Sequence, residues 1–190
     1  MKLVILDRDG TINSDSDDCV KTPDEWMPLP GALEAIARLN HAGWHVVIAS
    51  NQSGLGRGLF DVASLNAMHA KMHKMLAAVG GRIDAVFYCP HSAEESCTCR
   101  KPLPGLFEQI GARFGISLKG VPTAGDSLRD LLAGAAVGCE PHLVRTGKSA
   151  SYSAGGQPDG LPPGTFLHQD LSAFADFLLD RSDRPVSAVL

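Results

Sequence analysis

The sequence has no long apolar run, few aromatic residues and no strong excess of charge of either sign. A transmembrane helix needs about 20 consecutive apolar residues, so the first absence argues against a membrane protein. The chain also begins directly on an apolar strand pattern, without the basic start and apolar segment of a signal peptide. A net charge of −4 argues against a broad nucleic-acid-binding surface, although it leaves room for local basic pockets. We therefore expect a cytoplasmic protein that binds neither a membrane nor a nucleic acid.

Cysteine is scarce as well, with five in a chain of 190 residues. Because cytoplasmic thiols are kept reduced, these cysteines are better explained as free thiols or metal ligands than as a disulfide framework. The length and the 44% hydrophobic content suit one domain with its own core. We place that domain at residues 1–180, expect residues 181–190 to form a flexible C-terminal tail, and expect a monomer.

Apolar runs alternate with amphipathic segments along the chain. The runs predict strands at residues 3–6, 44–51, 83–89, 120–127, 141–147 and 165–170. The amphipathic segments predict helices at residues 30–43, 60–81, 104–115, 128–138 and 171–179. A polar segment at 13–26 and a Ser-, Gly- and Pro-rich segment at 148–164 predict loops. This order predicts an α/β fold, a doubly wound parallel sheet with helices on both faces.

Polar side chains follow the first four predicted strands. They are Asp7 and Asp9, then Ser50, Asn51 and Gln52, then Arg100 and Lys101 after an insertion, and finally Asp126 and Ser127. Ligands of open parallel sheets bind beyond the carboxyl ends of the strands, so these side chains should converge. An aspartate at a strand end also serves as a turn former or helix cap. Three carboxylates with one lysine nevertheless make a plausible site for Mg²⁺ and a phosphate group.

The segments "DRDGT", "SNQSG", "RKP" and "GDSLRD", in this order, resemble the four motifs of haloacid-dehalogenase-superfamily phosphatases. The resemblance implies a Rossmann-like fold and a covalent mechanism in which Asp7 is the nucleophile and Asp9 the general acid and base. It implies that Ser50 and Lys101 hold the phosphoryl group, while Asp7, the backbone carbonyl of Asp9, and Asp126 bind Mg²⁺. Asp9 can stay protonated near neutral pH if its neighbours are anionic.

The segment "CPHSAEESCTCRKP" carries a second chemical signal. It spaces four soft ligands as C-x-H, a five-residue loop, then C-x-C; they are Cys89, His91, Cys97 and Cys99. Three thiolates and one imidazole make a closed tetrahedral set, typical of a structural zinc site. We expect zinc to stabilise a loop at residues 89–101, so that Lys101 emerges from a rigid base.

The resemblance can be narrowed within the superfamily. No folded insertion follows the first motif, which is typical of capless members. Zinc loops of this form occur in D-glycero-D-manno-heptose-1,7-bisphosphate 7-phosphatases and in histidinol-phosphate phosphatases, and "SNQSGLGRG" and "HLVRTGK" resemble the heptose group. That implies removal of the C7 phosphate of a sugar bisphosphate, in nucleotide-activated heptose synthesis for lipopolysaccharide or a surface glycan. Histidinol-phosphate phosphatase is the alternative enzyme. A zinc-knuckle nucleic-acid-binding module is the alternative from another class, and the acidic balance disfavours it.

Several further residues have a predicted place. Arg57 and Arg100 flank the catalytic rim and can bind the second phosphate of a bisphosphate. Asn51 and Gln52 are predicted to contact the substrate too. For Asp130 two roles stay open, support of the site or a place in the first turn of a helix. His69 and His73 share a helix face and are expected on the surface.

Overall fold

Six parallel strands form the sheet, in the order β3-β2-β1-β4-β5-β6. The computed structural model describes residues 1–183. The strands are β1 Lys2–Leu6, β2 Trp44–Asn51, β3 Ala85–Cys89, β4 Pro122–Gly125, β5 Glu140–Val144 and β6 Phe166–His168. The direction of winding reverses between β1 and β4, which confirms the predicted doubly wound sheet.

The described residues form six α-helices, of which the first five lie between strands and the sixth follows β6. They are α1 Ala32–His41, the single turn α2 Ser53–Gly56, α3 Val62–Ala78, α4 Gly105–Phe114, α5 Leu128–Ala135 and α6 Leu171–Asp183. None of these helices is long and apolar enough to span a membrane. The predicted loop at 148–164 begins differently, because a 3₁₀ helix occupies Gly147–Tyr152. Helix α6 runs past the predicted end at residue 179, and residues 184–190, most of the predicted tail, lie outside the described residues.

The central strand β1 is buried on both of its faces. Val4 and Leu6 pack into the hydrophobic cluster on one side of the sheet, while Leu3 and Ile5 pack into the cluster on the other. This explains why β1 is a continuous apolar run rather than an alternating one. The strand therefore delivers Asp7 to the point where the strand order reverses.

No cap domain lies between β1 and α1. Residues 7–31 form turns and two isolated bridges, from Asn13 to Asp9 and from Asn13 to Pro28. The segment is held down by fully buried Trp26 and by Lys71 of α3, whose Nζ donates to the carbonyls of Pro23 (2.7 Å) and Trp26 (2.8 Å). The catalytic edge of the sheet is consequently open, as predicted.

Two buried histidines pair at the β5–β6 end of the sheet. His142 Nδ1 and His168 Nε2 are 2.9 Å apart, and His142 Nε2 lies 2.9 Å from Glu140 Oε1. Burial lowers the pKa of both imidazoles to about 4; the neighbouring His168 adds to the effect at His142, and Arg145 adds to it at His168. Both side chains are therefore neutral at pH 7.

This histidine pair should make the fold sensitive to acid. Because the folded pKa values of about 4 lie below the ordinary 6.5, the unfolded chain binds more protons between these values. The free energy of unfolding should therefore fall as pH drops from about 6.5 towards 4, by about 2 kcal/mol once solvent screening is allowed for. Denaturant titrations across this range should give a shallower pH slope for His168→Gln, and an unchanged slope for the exposed control His73→Gln. Equal slopes in wild type and His168→Gln would contradict the assignment.

Candidate active site

One cleft at the carboxyl end of the sheet brings most of the predicted site residues together. Those lining it are Asp7, Asp9, Asn51, Gln52, Arg57, Arg100 and Lys101. Asp126 joins them through its carboxylate, which lies close to that of Asp7. Side chains from the ends of β1, β2 and β4 and from the loop after β3 thus converge.

Lys101 is the buried cation of the site. Its Nζ donates to Asp7 Oδ1 (2.8 Å) and to the carbonyl of Ala49 (2.6 Å), and it lies 2.7 Å from Asp130 Oδ1. Burial alone would lower the pKa of this lysine, but Asp130 and Asp7 outweigh it and raise the pKa above its ordinary value. Lys101 is therefore charged and holds Asp7 in one orientation.

Three carboxylates form a group beside Lys101. One oxygen each of Asp7, Asp126 and Asp130 lies within 4.8 Å of the others. Burial and then the charge of Asp130 raise the pKa of Asp7 to about 7, while burial and then the charge of Asp7 raise the pKa of Asp126 to about 8. Even beside Lys101, the pKa values of Asp7 and Asp126 stay raised, so a further cation is needed to hold both as carboxylates, and clustered carboxylate oxygens are the ligands that Mg²⁺ prefers.

Asp130 fills both of the roles left open by the sequence. Its Oδ2 accepts hydrogen bonds from the backbone N–H (3.0 Å) and the hydroxyl (2.6 Å) of Ser127, at the start of α5. Its Oδ1 faces Lys101. The first turn of α5 therefore orients a carboxylate that supports the lysine.

Two glycines let the backbone approach Asp126. A Cβ on Gly10 would stand 2.2 Å from Asp126 Oδ2, and a Cβ on Gly147 would stand 2.1 Å from it. Both residues also have a positive φ, 85° and 50° respectively. The same oxygen accepts a hydrogen bond from the backbone N–H of Lys148 (2.6 Å). The start of the 3₁₀ helix thus forms one wall of the site, where the sequence predicted the end of a strand at Gly147 and a loop from Lys148; the strand itself ends at Val144.

Asp9 is held by hydrogen-bond donors rather than by anionic neighbours. Arg8 binds it bidentately, with Nε 3.0 Å from Oδ1 and Nη2 3.0 Å from Oδ2. Asn13 donates to Oδ1 (2.8 Å) and Gln52 donates to Oδ2 (2.9 Å). Burial of Asp9 would raise its pKa, but Arg8 and the amides outweigh it and hold the pKa below its ordinary value. The condition for a resting protonated Asp9 is not met, because its neighbours stabilise the carboxylate.

The polar residues at the end of β2 support other site residues. Gln52 Nε2 donates to Ser50 Oγ (2.8 Å), which leaves the Ser50 hydroxyl hydrogen free for a phosphoryl oxygen. The Asn51 amide pairs with the backbone of Lys101, accepting from its N–H (3.0 Å) and donating to its carbonyl (3.1 Å). Both predicted substrate-binding amides line the cleft, yet in the structure they hold Lys101, Ser50 and Asp9.

Four basic side chains line the cleft in addition to Lys101. Arg57 is exposed beside Cys19, and Arg100 Nη1 donates to the carbonyl of His91 (3.4 Å), on the predicted zinc loop. Arg129 and Lys148 also line the cleft and were missed from the sequence. The position of Arg129 three residues after Asp126, in the first turn of α5, was the available signal.

The four soft ligands come together as predicted from their spacing. Their ligand atoms lie within 4.8 Å of one another, with Cys89 Sγ 3.8 Å from Cys97 Sγ and 3.5 Å from His91 Nδ1. Around tetrahedral zinc, bonds of about 2.3 Å to sulfur and about 2.0 Å to nitrogen give separations of roughly 3.8 Å for S–S and roughly 3.5 Å for S–N. The cluster therefore fits one zinc ion.

Comparison with known proteins agrees with this geometry. Residues 2–127 match the family model of polynucleotide kinase 3 phosphatases, and residues 98–171 match the HAD-hydrolase-like model. The fold is shared with L-2-haloacid dehalogenase from Xanthobacter autotrophicus, at a TM-score of 0.63 and 11% identity over 94% of this chain and 98% of that one. Fold and site define a phosphatase of the haloacid dehalogenase type.

Proteins of higher sequence identity show to which family within this class the chain belongs. The chain is 57% identical over 182 residues to D-glycero-beta-D-manno-heptose-1,7-bisphosphate 7-phosphatase from Bordetella bronchiseptica, covering 96% of this chain and all of that protein. The crystal structure of that bacterium's D,D-heptose 1,7-bisphosphate phosphatase, complexed with magnesium and phosphate, superposes with a TM-score of 0.90, at 57% identity, over 95% of this chain and 99% of the other. The chain belongs to the D-glycero-beta-D-manno-heptose-1,7-bisphosphate 7-phosphatase family.

Proposed function

We propose that this protein removes the C7 phosphate of D-glycero-D-manno-heptose 1,7-bisphosphate, in the synthesis of nucleotide-activated heptose for lipopolysaccharide or a surface glycan. The observation that carries the chemistry is Asp7, held at the end of β1 by Lys101 beside two further carboxylates. The names of relatives at 46–57% identity support the substrate.

The site residues divide the reaction into two steps. Asp7 Oδ attacks phosphorus, the bond from phosphorus to the C7 oxygen breaks, and Asp9 protonates the departing oxygen. Water, deprotonated by Asp9, then attacks the aspartyl-phosphate and releases inorganic phosphate, which returns Asp7 to its starting form. The Ser50 hydroxyl donates to an equatorial oxygen of the phosphoryl group, and the positive charge of Lys101 stabilises the transition state.

Asp9 must take up its proton when the substrate binds. In the structure its surroundings favour the carboxylate. A phosphate dianion placed beside it is a like charge and raises its pKa, so binding of the substrate favours uptake of the proton that the leaving group needs.

Mg²⁺ would be held by Asp7, Asp126 and the backbone carbonyl of Asp9, with Asp130 alongside. When bound it would offset repulsion between the phosphate and the nucleophile. Brief treatment with EDTA should abolish activity, and added Mg²⁺ should restore it.

Zinc bound by the Cys89–Cys99 cluster would be structural, since all four positions are taken by protein atoms. Cys97→Ser should lower the melting temperature and the activity, because Arg100 is hydrogen-bonded to the carbonyl of His91 within this loop. Metal analysis should find one zinc per wild-type chain after dialysis and substantially less in Cys97→Ser. Cys139→Ser, a control outside the cluster, should retain zinc. If only zinc restores the activity of EDTA-treated protein, the two metals have been assigned the wrong way round.

Substrate choice depends on the nontransferred end of the substrate, because an open site cannot enclose it. Arg57 and Arg100 line the cleft, and a guanidinium binds phosphate bidentately but repels the ammonium of histidinol phosphate. Each charged hydrogen bond contributes about 1.5–3 kcal/mol. Arg57→Ala or Arg100→Ala should therefore lower kcat/KM for the bisphosphate by roughly tenfold to a hundredfold.

The control substrate for the two arginine variants is heptose 7-phosphate, which lacks the second phosphate. Its kcat/KM should change much less in either variant, and the exposed control Arg113→Ala should leave both substrates unaffected. Equal losses on the two substrates would mean that the arginines support only the reacting phosphoryl group.

A phosphate-release screen tests the function as a whole. The panel is heptose 1,7-bisphosphate, histidinol phosphate and a 3′-phosphorylated oligonucleotide, and the proposal requires the highest kcat/KM for the first. A preference for histidinol phosphate would establish the alternative enzyme instead.

The proposal also includes a cytoplasmic monomer that acts on small molecules and binds no nucleic acid. Light scattering tests the oligomeric state, and gel shifts at low salt test nucleic-acid binding.

A further inference from the structure

A buried arginine connects Asp9 to a helix outside the catalytic motifs. The Arg8 side chain is fully buried, binds the Asp9 carboxylate through Nε and Nη2, and approaches Gln52 Oε1 (3.3 Å). Its remaining terminal nitrogen, Nη1, lies 3.2 Å from His69 Nε2 on α3. The prediction that His69 lies on the surface is wrong, because this residue is half-buried against Arg8.

The chemistry of the pair fixes which atom donates. A guanidinium only donates, so His69 Nε2 must accept, and the imidazole carries its proton on Nδ1. Burial, followed by the charge of Arg8, lowers the pKa of His69 to about 4, which agrees with a neutral acceptor. Without His69 the buried Nη1 would lose this acceptor, which is costly for a buried charge.

Helix α3 gives this contact a rigid base. Its inward face is formed by Leu65, Met68, Met72 and Leu76, all fully buried. His69 follows Leu65 by four residues and so lies beside that face. The imidazole is thereby held by packing of the core and not by the active-site loops.

We propose that His69 is a positioning residue for the reaction: acting through Arg8, it fixes the carboxylate of Asp9 where the leaving oxygen is protonated. This inference rests on the proposed role of Asp9 as the general acid. With an apolar residue at 69, the Arg8 guanidinium can rotate towards another acceptor and take the Asp9 carboxylate with it. Misplacement of an acid by less than 1 Å slows proton transfer while leaving substrate binding intact.

The test is how the rate of aspartyl-phosphate formation, measured as the burst phase, depends on the leaving group in His69→Leu. With heptose 1,7-bisphosphate, which expels an alkoxide that needs a proton, this rate should fall about tenfold while the apparent dissociation constant of the substrate stays within about twofold. With p-nitrophenyl phosphate, whose nitrophenolate leaves without a proton, the same rate should fall less than about threefold. His69→Gln, whose Oε1 can accept from Arg8, should recover most of the lost rate. His73→Leu, one turn further along α3 and exposed, should match wild type.

Equal losses in the rate of aspartyl-phosphate formation from the two esters in His69→Leu, or no recovery of that rate in His69→Gln, would overturn the inference, since a purely structural effect does not depend on the leaving group. If His69→Leu does not fold, His69→Met makes the same comparison with an unbranched side chain. Asp9→Asn is the reference. If Asp9→Asn loses more rate on the heptose ester than on the nitrophenyl ester and His69→Leu does not, only the role of His69 is overturned. If Asp9→Asn loses the same rate on both esters, the assignment of Asp9 as the acid fails, and the inference about His69 fails with it.

Discussion

Replacing Asp7 with asparagine should lower kcat by at least about three orders of magnitude while the protein remains folded. An amide oxygen is too weak a nucleophile to attack a phosphate group, so no aspartyl-phosphate can form. The fold should tolerate the change, because Lys101 keeps the Ala49 carbonyl and Asp130 as partners. The variant also removes one of three mutually repelling carboxylates.

Steady-state phosphate release and thermal melting measure the two halves of this prediction. Trapping of radioactive phosphate on the protein after acid quenching should detect the intermediate in wild type and not in Asp7→Asn. Asp159→Asn, an exposed control with the same chemical change, should behave as wild type in both assays. Activity of Asp7→Asn within tenfold of wild type would exclude the covalent mechanism.

Asp9→Asn should cost about two to four orders of magnitude in kcat with heptose bisphosphate, because an amide cannot protonate the leaving alkoxide. In the formation of the aspartyl-phosphate, the loss should be smaller with p-nitrophenyl phosphate, whose leaving group needs no proton. Both esters pass through the same aspartyl-phosphate, so burst kinetics are needed to separate its formation from its hydrolysis.

The structure also indicates how Asp9→Asn should differ from Asp7→Asn. Asp9 accepts from Arg8, Asn13 and Gln52, and an amide nitrogen would meet one of these donors. A decrease in melting temperature is therefore expected for Asp9→Asn but not for Asp7→Asn. Equal losses in the rate of aspartyl-phosphate formation from the two esters would argue against Asp9 as the acid.

The strands of the sheet could be predicted because their apolar runs are set by burial on two faces. The ends of the strands were less accurate, since β4 covers only Pro122–Gly125 of the predicted 120–127. Beyond Gly125, Asp126 and Ser127 already belong to the turn into α5, where the Ser127 backbone N–H bonds to Asp130. Turn chemistry of this kind looks like a strand end in the sequence, because polar residues follow an apolar run in both cases.

The site residues that stand in compact sequence motifs could be predicted. Contacts between side chains from distant segments of the chain could not. Arg8 and His69 are 61 residues apart in the chain, and no local pattern connects them. Asn51 and Gln52 were predicted for the substrate from their place on the rim. A sequence does not show that their amides already have partners in Lys101 and Asp9. Their role towards the substrate stays a prediction.

The strand order has a consequence for the assembly of the protein during translation. Of the six strands of the sheet, β1 is synthesised first, yet it lies inside the sheet, with β2 on one edge and β4 on the other. One edge of β1 therefore has no partner until residues 122–125 have left the ribosome. The nucleophile Asp7 leaves the ribosome more than a hundred residues before the wall formed by Gly147 and Lys148. Until β4 is synthesised, the nascent chain thus carries an apolar strand with one unpaired edge.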